Sequence, residues 1–318
     1  MLKQVMDALE WLDDPAIDGE RVARWMEGRG VENVAVRRVD GEKGSTDFIR
    51  VVFPGRSGKQ KGGGAPSMGI IGRLGGVGAR PERLGMVSDA DGAVTAIACA
   101  LKLGQMVRAG DGPQGDVIVA THICPNSPVI PHEPVPFMGS PVSMRQMNNQ
   151  EVDPAMDAIL SVDATKGNRI INWRGIAITP TVKEGYILRI SEDLLDILAW
   201  TTGRPPRVAP ITTQDITPYG NSLYHMNSIL QPATATTAPV VGVAVTSETT
   251  VPGCATGANH EVDIDEACRF CIEAAKAFTA GKCRFYDEEE FARIVSLYGS
   301  LSFLQSRGRS GMPAEEIP

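Results

Sequence analysis

The feature that most narrows the folds open to this chain is a set of four short, almost wholly apolar runs. They are SMGIIGRL (67–74), DVIVAT (116–121), AILSVDAT (158–165) and APVVGVAVT (238–246), and segments of helical periodicity lie between them. A strand with one wet face alternates apolar and polar residues, whereas a strand covered on both faces reads as a continuous apolar run. Four such runs interleaved with helices predict an α/β fold in three layers, a mixed and mostly parallel sheet with helices on both faces. VENVAVRRV (31–39), TDFIRVVF (46–53), IINWRGIAI (170–178) and VAPIT (208–212) supply further strand candidates. Helices are expected where Leu2, Val5, Met6, Leu9 and Leu12 recur, behind the N-cap candidate Asp18, and over 88–107, 191–202 and 263–281. No repeat or linker divides the chain, so residues 1–318 read as one domain, with a helical lead at 1–30 and a tail at 306–318 expected to fray. The stretch GRSGKQKGGGAP (55–66) reads as a mobile loop.

At 318 residues, with 42% hydrophobic and 22% charged side chains, the chain has ample material for a core and is not a disordered polymer. Its net charge of -7 argues against nucleic acid or acidic lipid as partners, because phosphate affinity comes from clustered Lys and Arg. The longest near-apolar stretch falls far short of the roughly 20 residues that span a bilayer, so no membrane span is expected. The start MLKQVMDALEWLDD carries acids where a secretory signal would be basic and then apolar. Six cysteines, mostly among small apolar residues, fit reduced, packed thiols, and the expected compartment is the cytoplasm.

Several constellations could carry chemistry. Asp89 and Asp91 in SDADGA stand after a strand and at a helix start, where they can hold a metal or simply complement the helix dipole. His122, Cys124, His132 and Glu133 fall in a Pro-rich stretch at the end of a buried strand, the edge where α/β sheets bind ligands. His260, beside Glu261 and with Glu248 upstream, could ligate a metal ahead of a helix, while His225 reads as a packed residue. Asp163 ends a buried run, and a carboxylate there needs a metal, an Arg or a helix N-terminus as partner. The Gly- and Lys-rich loop lacks the phosphate-loop spacing, and no G-x-S-x-G occurs. Cys268 and Cys271 share one face of an Ala-rich helix and read as core thiols.

At GEKGSTDFIRV, SDADGAVTAI, ATHICPNSPVIPHEPV and PGCATGANHEVDIDEA the sequence resembles an uncharacterised prokaryotic family, domain of unknown function 1177, over nearly the whole chain. More distantly, the order of elements is similar to the catalytic domain of di-zinc exopeptidases, the clan of glutamyl and leucyl aminopeptidases. That resemblance implies Asp91 or Asp89 as the metal-bridging acid, Asp163 on a ligand strand and His260 before the final helix. Where the clan has H-x-D this chain has Arg73 and Gly75, and where it has Glu-Glu this chain has His122, Ile123 and Cys124. No room exists for a large inserted domain between Arg73 and Asp89. A fixed cation in a metal pocket repels the ion.

Two outcomes are therefore expected. In the first, the protein is a hydrolase-like enzyme acting on a peptide-like or amide-bearing small molecule. Its remodelled site would hold zinc, or else manganese or cobalt, on Asp89, Asp91, Asp163 and His260, with Glu133 or His122 moving protons and Arg73 holding a substrate carboxylate. Cys124, His132 and Glu248 would complete the pocket. In the second, the metal is lost and the same fold serves as a small-molecule-binding or regulatory subunit. The clan builds rings and dimers, so the resemblance also implies a homo-oligomer.

Overall fold

The structure is a computed structural model, and it describes residues 1–73, 75–79, 83–125, 127–211 and 228–305. His225, Thr212 and the tail from 306 onward lie outside the described residues. A single mixed sheet organises the rest. Its strands are β1 (Val34–Gly41), β2 (Gly44–Phe53), β3 (Met68–Gly72), β4 (Val117–Ile123), β5 (Ala158–Ala164), β6 (Gly175–Ile178), β7 (Val182–Lys183), β8 (Tyr186–Ile187) and β9 (Val240–Thr246). The order across the sheet is β1-β2-β4-β3-β5-β9-β7-β8, with β6 also paired to β9. The four apolar runs form the four central strands, β4-β3-β5-β9, and these are parallel throughout. Antiparallel strands flank them on both sides. The expected strand over 170–178 shortens to β6, and Val208 adds only an isolated bridge to Ile178.

Side-chain alternation divides the core in two. Met68, Ile70, Val117, Val119, Leu160, Val162, Val241 and Val243 point to one face. There they meet α1 (Leu2–Leu12), α2 (Gly19–Gly28), α3 (Asp91–Arg108), α5 (Glu192–Thr202) and α6 (Glu261–Thr279). Ile71, Ile118, Ala120, Ile159 and Ala244 point to the other face, which is covered by α4 (Met144–Glu151), a 3-10 helix at Ser228–Thr234 and the chain around Val152 and Met156. A last helix, α7 (Glu288–Tyr298), follows α6. Asp18 caps α2 as its sequence suggests, its side chain accepting from the Arg21 N–H.

The Gly-rich loop expected to be mobile is instead pinned. Asp116 accepts the N–H groups of Gly55 and Gln60, and Lys59 donates to Asp157. All six cysteines are free thiols and all are buried. Burial pushes the Cys268 thiol well up, so it stays protonated as a core residue. Among the described residues, no helix is long and apolar enough to cross a membrane.

Candidate functional site

The topology fixes where a ligand site would be expected. From β3 the chain crosses through α3 to β4 on one side, and from β4 it returns past β3 to β5 on the other. The switch point therefore lies between the C-terminal ends of β3 and β5, the usual crevice for ligands in such sheets. In this protein that crevice is filled by the start of α3. A Cβ on Gly92 would lie 2.3 Å from the Arg73 carbonyl oxygen and 2.6 Å from that of Val162, so only glycine lets the helix seat so closely.

Two buried cations flank the filled crevice. Arg73 follows β3 and is 0% exposed. Its Nη1 donates to Glu151 Oε2 and, at 3.4 Å, to Asn148 Oδ1, while Nη2 approaches Met144 Sδ at 2.6 Å. All three partners come from α4. Glu151 is shared, because its Oε1 lies 2.6 Å from His122 Nδ1. The Gly75 N–H reaches the other ring nitrogen, Nε2, at 3.3 Å. The Glu151 carboxylate and the Gly75 N–H thus meet the two ring nitrogens and fix the orientation of the His122 imidazole. Burial alone would push the Glu151 carboxyl up, but the adjacent Arg73 guanidinium and His122 overcome it and hold the group below its ordinary range.

The second cation is Lys166, just beyond β5, which donates to Asp91 Oδ2. The other oxygen, Oδ1, accepts from Asn259 Nδ2 at 2.6 Å, so both oxygens of Asp91 are committed. His260 occupies the N-cap position of α6 without a side-chain cap bond; its Nδ1 lies 3.5 Å from Asp263, which takes Arg174 Nε at 3.2 Å and 3.3 Å. Asp163 is buried near the end of β5, between β3 and β9.

These placements decide whether the residues suit a metal. Lys166 and Asn259 occupy the Asp91 carboxylate, His260 is directed to Asp263, and Arg73 sits between β3 and α4 as a permanent cation. Among the described residues, no three His, Cys, Asp or Glu side chains form a group that could hold an ion. The donor set does not fit the two-metal arrangement. Arg73, sealed and paired with Glu151, also has no open face for a substrate carboxylate.

The open space lies one strand further out, at the end of β4. A cavity of about 510 Å³ is lined by His122, Cys124, Asp89, Ser127 and Lys43, with an apolar wall of Val129, Ile130, Met138, Val142, Met144 and Met147. It borders the ribbon formed by Val129–Ile130 and Phe137–Met138. Gly75 lets the chain pass this close, since a Cβ there would stand 1.4 Å from the His122 carbonyl oxygen. Of the residues singled out from sequence, His122, Cys124 and Asp89 meet in this cavity. His132 and Glu133 lie exposed beyond it; the His132 ring stacks near Phe137 and its Nδ1 faces the Val135 carbonyl. Glu248 lines a different cavity, beyond β9.

The sequence reading missed Glu151, Asn148 and Lys166. Glu151 had a signal: Ser143-x-x-Gln146 forms a capping box, with the Gln146 N–H donating to Ser143 Oγ and the Ser143 N–H to Gln146 Oε1. That box starts a helix that carries Glu151 two turns later. Lys166, in the irregular segment after β5, has no comparable mark.

No curated protein matches the chain. Among solved structures, a tomato leucine aminopeptidase mutant aligns at a TM-score of 0.45 and 10% identity, over 85% of this chain and 60% of its own. The chain thus spans less than two thirds of that enzyme's length. The family described as "Protein of unknown function (DUF1177)" matches residues 37–308, and the chain belongs to that family.

Proposed function

We propose that the protein is a metal-independent small-molecule-binding protein whose ligand enters the cavity at the end of β4. The observation that carries this reading is the lining of that cavity: an extensive apolar wall with a few convergent polar groups, His122, Asp89, Cys124 and Ser127, and the Lys43 ammonium among them. Such a lining, in a volume typical of ligand pockets, suits a molecule with an apolar body, an amide and a carboxylate. Lys43 takes the carboxylate, and the oriented His122 ring meets the amide at Nε2 once the weak Gly75 contact yields.

The test is a thermal-shift and calorimetric titration with N-acetyl-leucine as probe. Wild-type protein should bind saturably, Val129→Trp should block the cavity, and Lys43→Ala should weaken binding about tenfold by removing one charge-assisted contact. Equal binding by Val129→Trp would overturn the assignment. Dialysis against EDTA should leave the melting temperature unchanged, and a loss of stability would return the metal to the argument.

One observation favours a second reading, that of a hydrolase. Glu151, His122 and Cys124 place an oriented imidazole and a thiol on one cavity. In that reading His122 Nε2 takes the proton of a water as the water oxygen attacks an amide carbonyl, or that of the thiol as the sulfur does. The same nitrogen then returns the proton to the departing amine. Where the sulfur attacks, a second, water-driven step frees the acid from the thioester and returns the thiol its proton. Hydrolysis of an N-acyl substrate that survives EDTA and disappears in His122→Asn would establish it.

A further inference from the structure

A second cavity, of about 330 Å³, opens at the same C-terminal edge of the sheet but on its opposite flank, where β9 finishes beside β6. It is lined by three arginines that come from two separate segments of the chain, Arg174 from one and Arg204 and Arg207 from the other. Arg174 stands just ahead of β6, Arg204 follows the Gly203 cap of α5, and Arg207 precedes the bridge between Val208 and Ile178. Trp173, Ile176, Leu198 and Pro205 give it an apolar side, and Glu248 is the one acid on its wall.

The guanidinium groups are only partly used. Arg174 engages Asp263 through Nε alone, and Arg204 engages Glu266 through Nη2. Each guanidinium has five N–H donors, so both retain a free edge. The Arg207 guanidinium carbon lies 5.2 Å from the centre of the Trp173 ring and makes no hydrogen bond or ion pair among the described residues. Three cations held this close to one another repel, and a planar fork is matched by an oxyanion better than by water. Asp263 and Glu266 both belong to α6, so the helix that braces the central core also fixes two of the three arginines in place.

We infer that this cavity binds a small organic oxyanion, a carboxylate or phosphate whose charged end meets Arg174, Arg204 and Arg207 and whose apolar body lies against Ile176, Leu198 and Pro205. The site is separate from the cavity at β4 and does not depend on what that cavity does. Glu248 sets its selectivity by opposing the anion's charge, and the ligand must overcome it.

The experiment is an isothermal titration of the full chain with phenyl phosphate and with benzoate, at fixed ionic strength. Saturable binding of either probe is expected; the preferred probe tells phosphate from carboxylate. Arg207→Ala removes a side chain that holds nothing else together, and it should weaken binding at least about tenfold, the loss of one charge-assisted hydrogen bond. Glu248→Gln should tighten binding, a change that a merely structural residue would not produce. Lys43→Ala, in the other cavity, should leave the titration as it was. No saturable binding of either probe, or an Arg207→Ala variant that binds like wild type, overturns the assignment.

Discussion

Arg73 and Lys166 stand on either side of the same filled crevice, and each is a buried cation with a buried carboxylate. They differ in what else those carboxylates touch. Asp91 has both oxygens taken: Lys166 takes one and Asn259 the other, and Asp91 itself is fully buried. Glu151 divides its two oxygens between Arg73 and His122, and His122 is part of a cavity wall. The first cluster locks the start of α3 over β3 and β5. The second extends an ion pair into a support that orients an imidazole on the cavity wall. Equal charge burial therefore serves architecture in one place and the candidate site in the other.

The largest effect expected is that of Glu151→Gln. It leaves the guanidinium of Arg73 buried without a counter-ion, and breaking such a pair costs about 3–5 kcal/mol. Asp91→Asn should cost less, because a lysine stranded in an apolar setting can release its proton whereas an arginine cannot. Chemical denaturation of the two variants measures the difference. An Asp91→Asn variant less stable than Glu151→Gln would reverse the comparison and make the α3 cluster the dominant one.

Acid should act on the same contrast with a smaller amplitude. The folded Glu151 carboxyl is held below its unfolded value, near ~4.3 for a free glutamate. Its contribution is then fully present above that value and is lost as pH falls through the lower folded one. Wild-type stability should fall over that acid window, and Glu151→Gln, already lacking the charge, should show a shallower fall. Parallel curves for the two proteins would mean that other carboxylates govern acid unfolding.

A third effect is steric. Gly75→Ala directs a methyl at the His122 backbone, and overpacking of this kind costs about 1–3 kcal/mol. It should also displace the N–H that faces His122 Nε2 and so disturb N-acetyl-leucine binding more than a stability-matched change elsewhere in the core. Identical binding losses in the two would remove Gly75 from the site.

Much of this architecture was legible in the sequence because it depends on local periodicity. The four apolar runs became the four parallel central strands, and Asp18 capped its helix. The rule for sheet edges pointed to the end of DVIVAT, and a cavity lined by His122 and Cys124 lies there. What could not be read was pairing across the chain. Arg73 and Glu151 are 78 residues apart, and Lys166 and Asp91 are 75 apart. No spacing rule joins residues so distant, so Asp91 looked available to a metal when the folded chain supplies it with the Lys166 ammonium. The same blindness hid the meeting of Arg174 with the Arg204 and Arg207 pair at β9, segments about thirty residues apart.

His132 and Glu133 give the smallest expected effect and the sharpest check on the boundary of the site. From sequence they share one Pro-rich stretch with His122 and Cys124, and residue type alone would make Glu133 the better proton carrier. The fold separates them: β4 carries His122 into the sheet edge, while the chain turns outward before His132, whose ring rests against Phe137 in contact with water. An exposed side chain away from any buried network changes stability by within about 0.5 kcal/mol when truncated. The double variant His132→Ala, Glu133→Ala should therefore melt with wild type and bind N-acetyl-leucine equally well, whereas His122→Asn should not. If the double variant instead loses binding while His122→Asn keeps it, the ligand sits on the outer ribbon, and the Glu151–His122–Arg73 network is as purely architectural as its counterpart at Lys166.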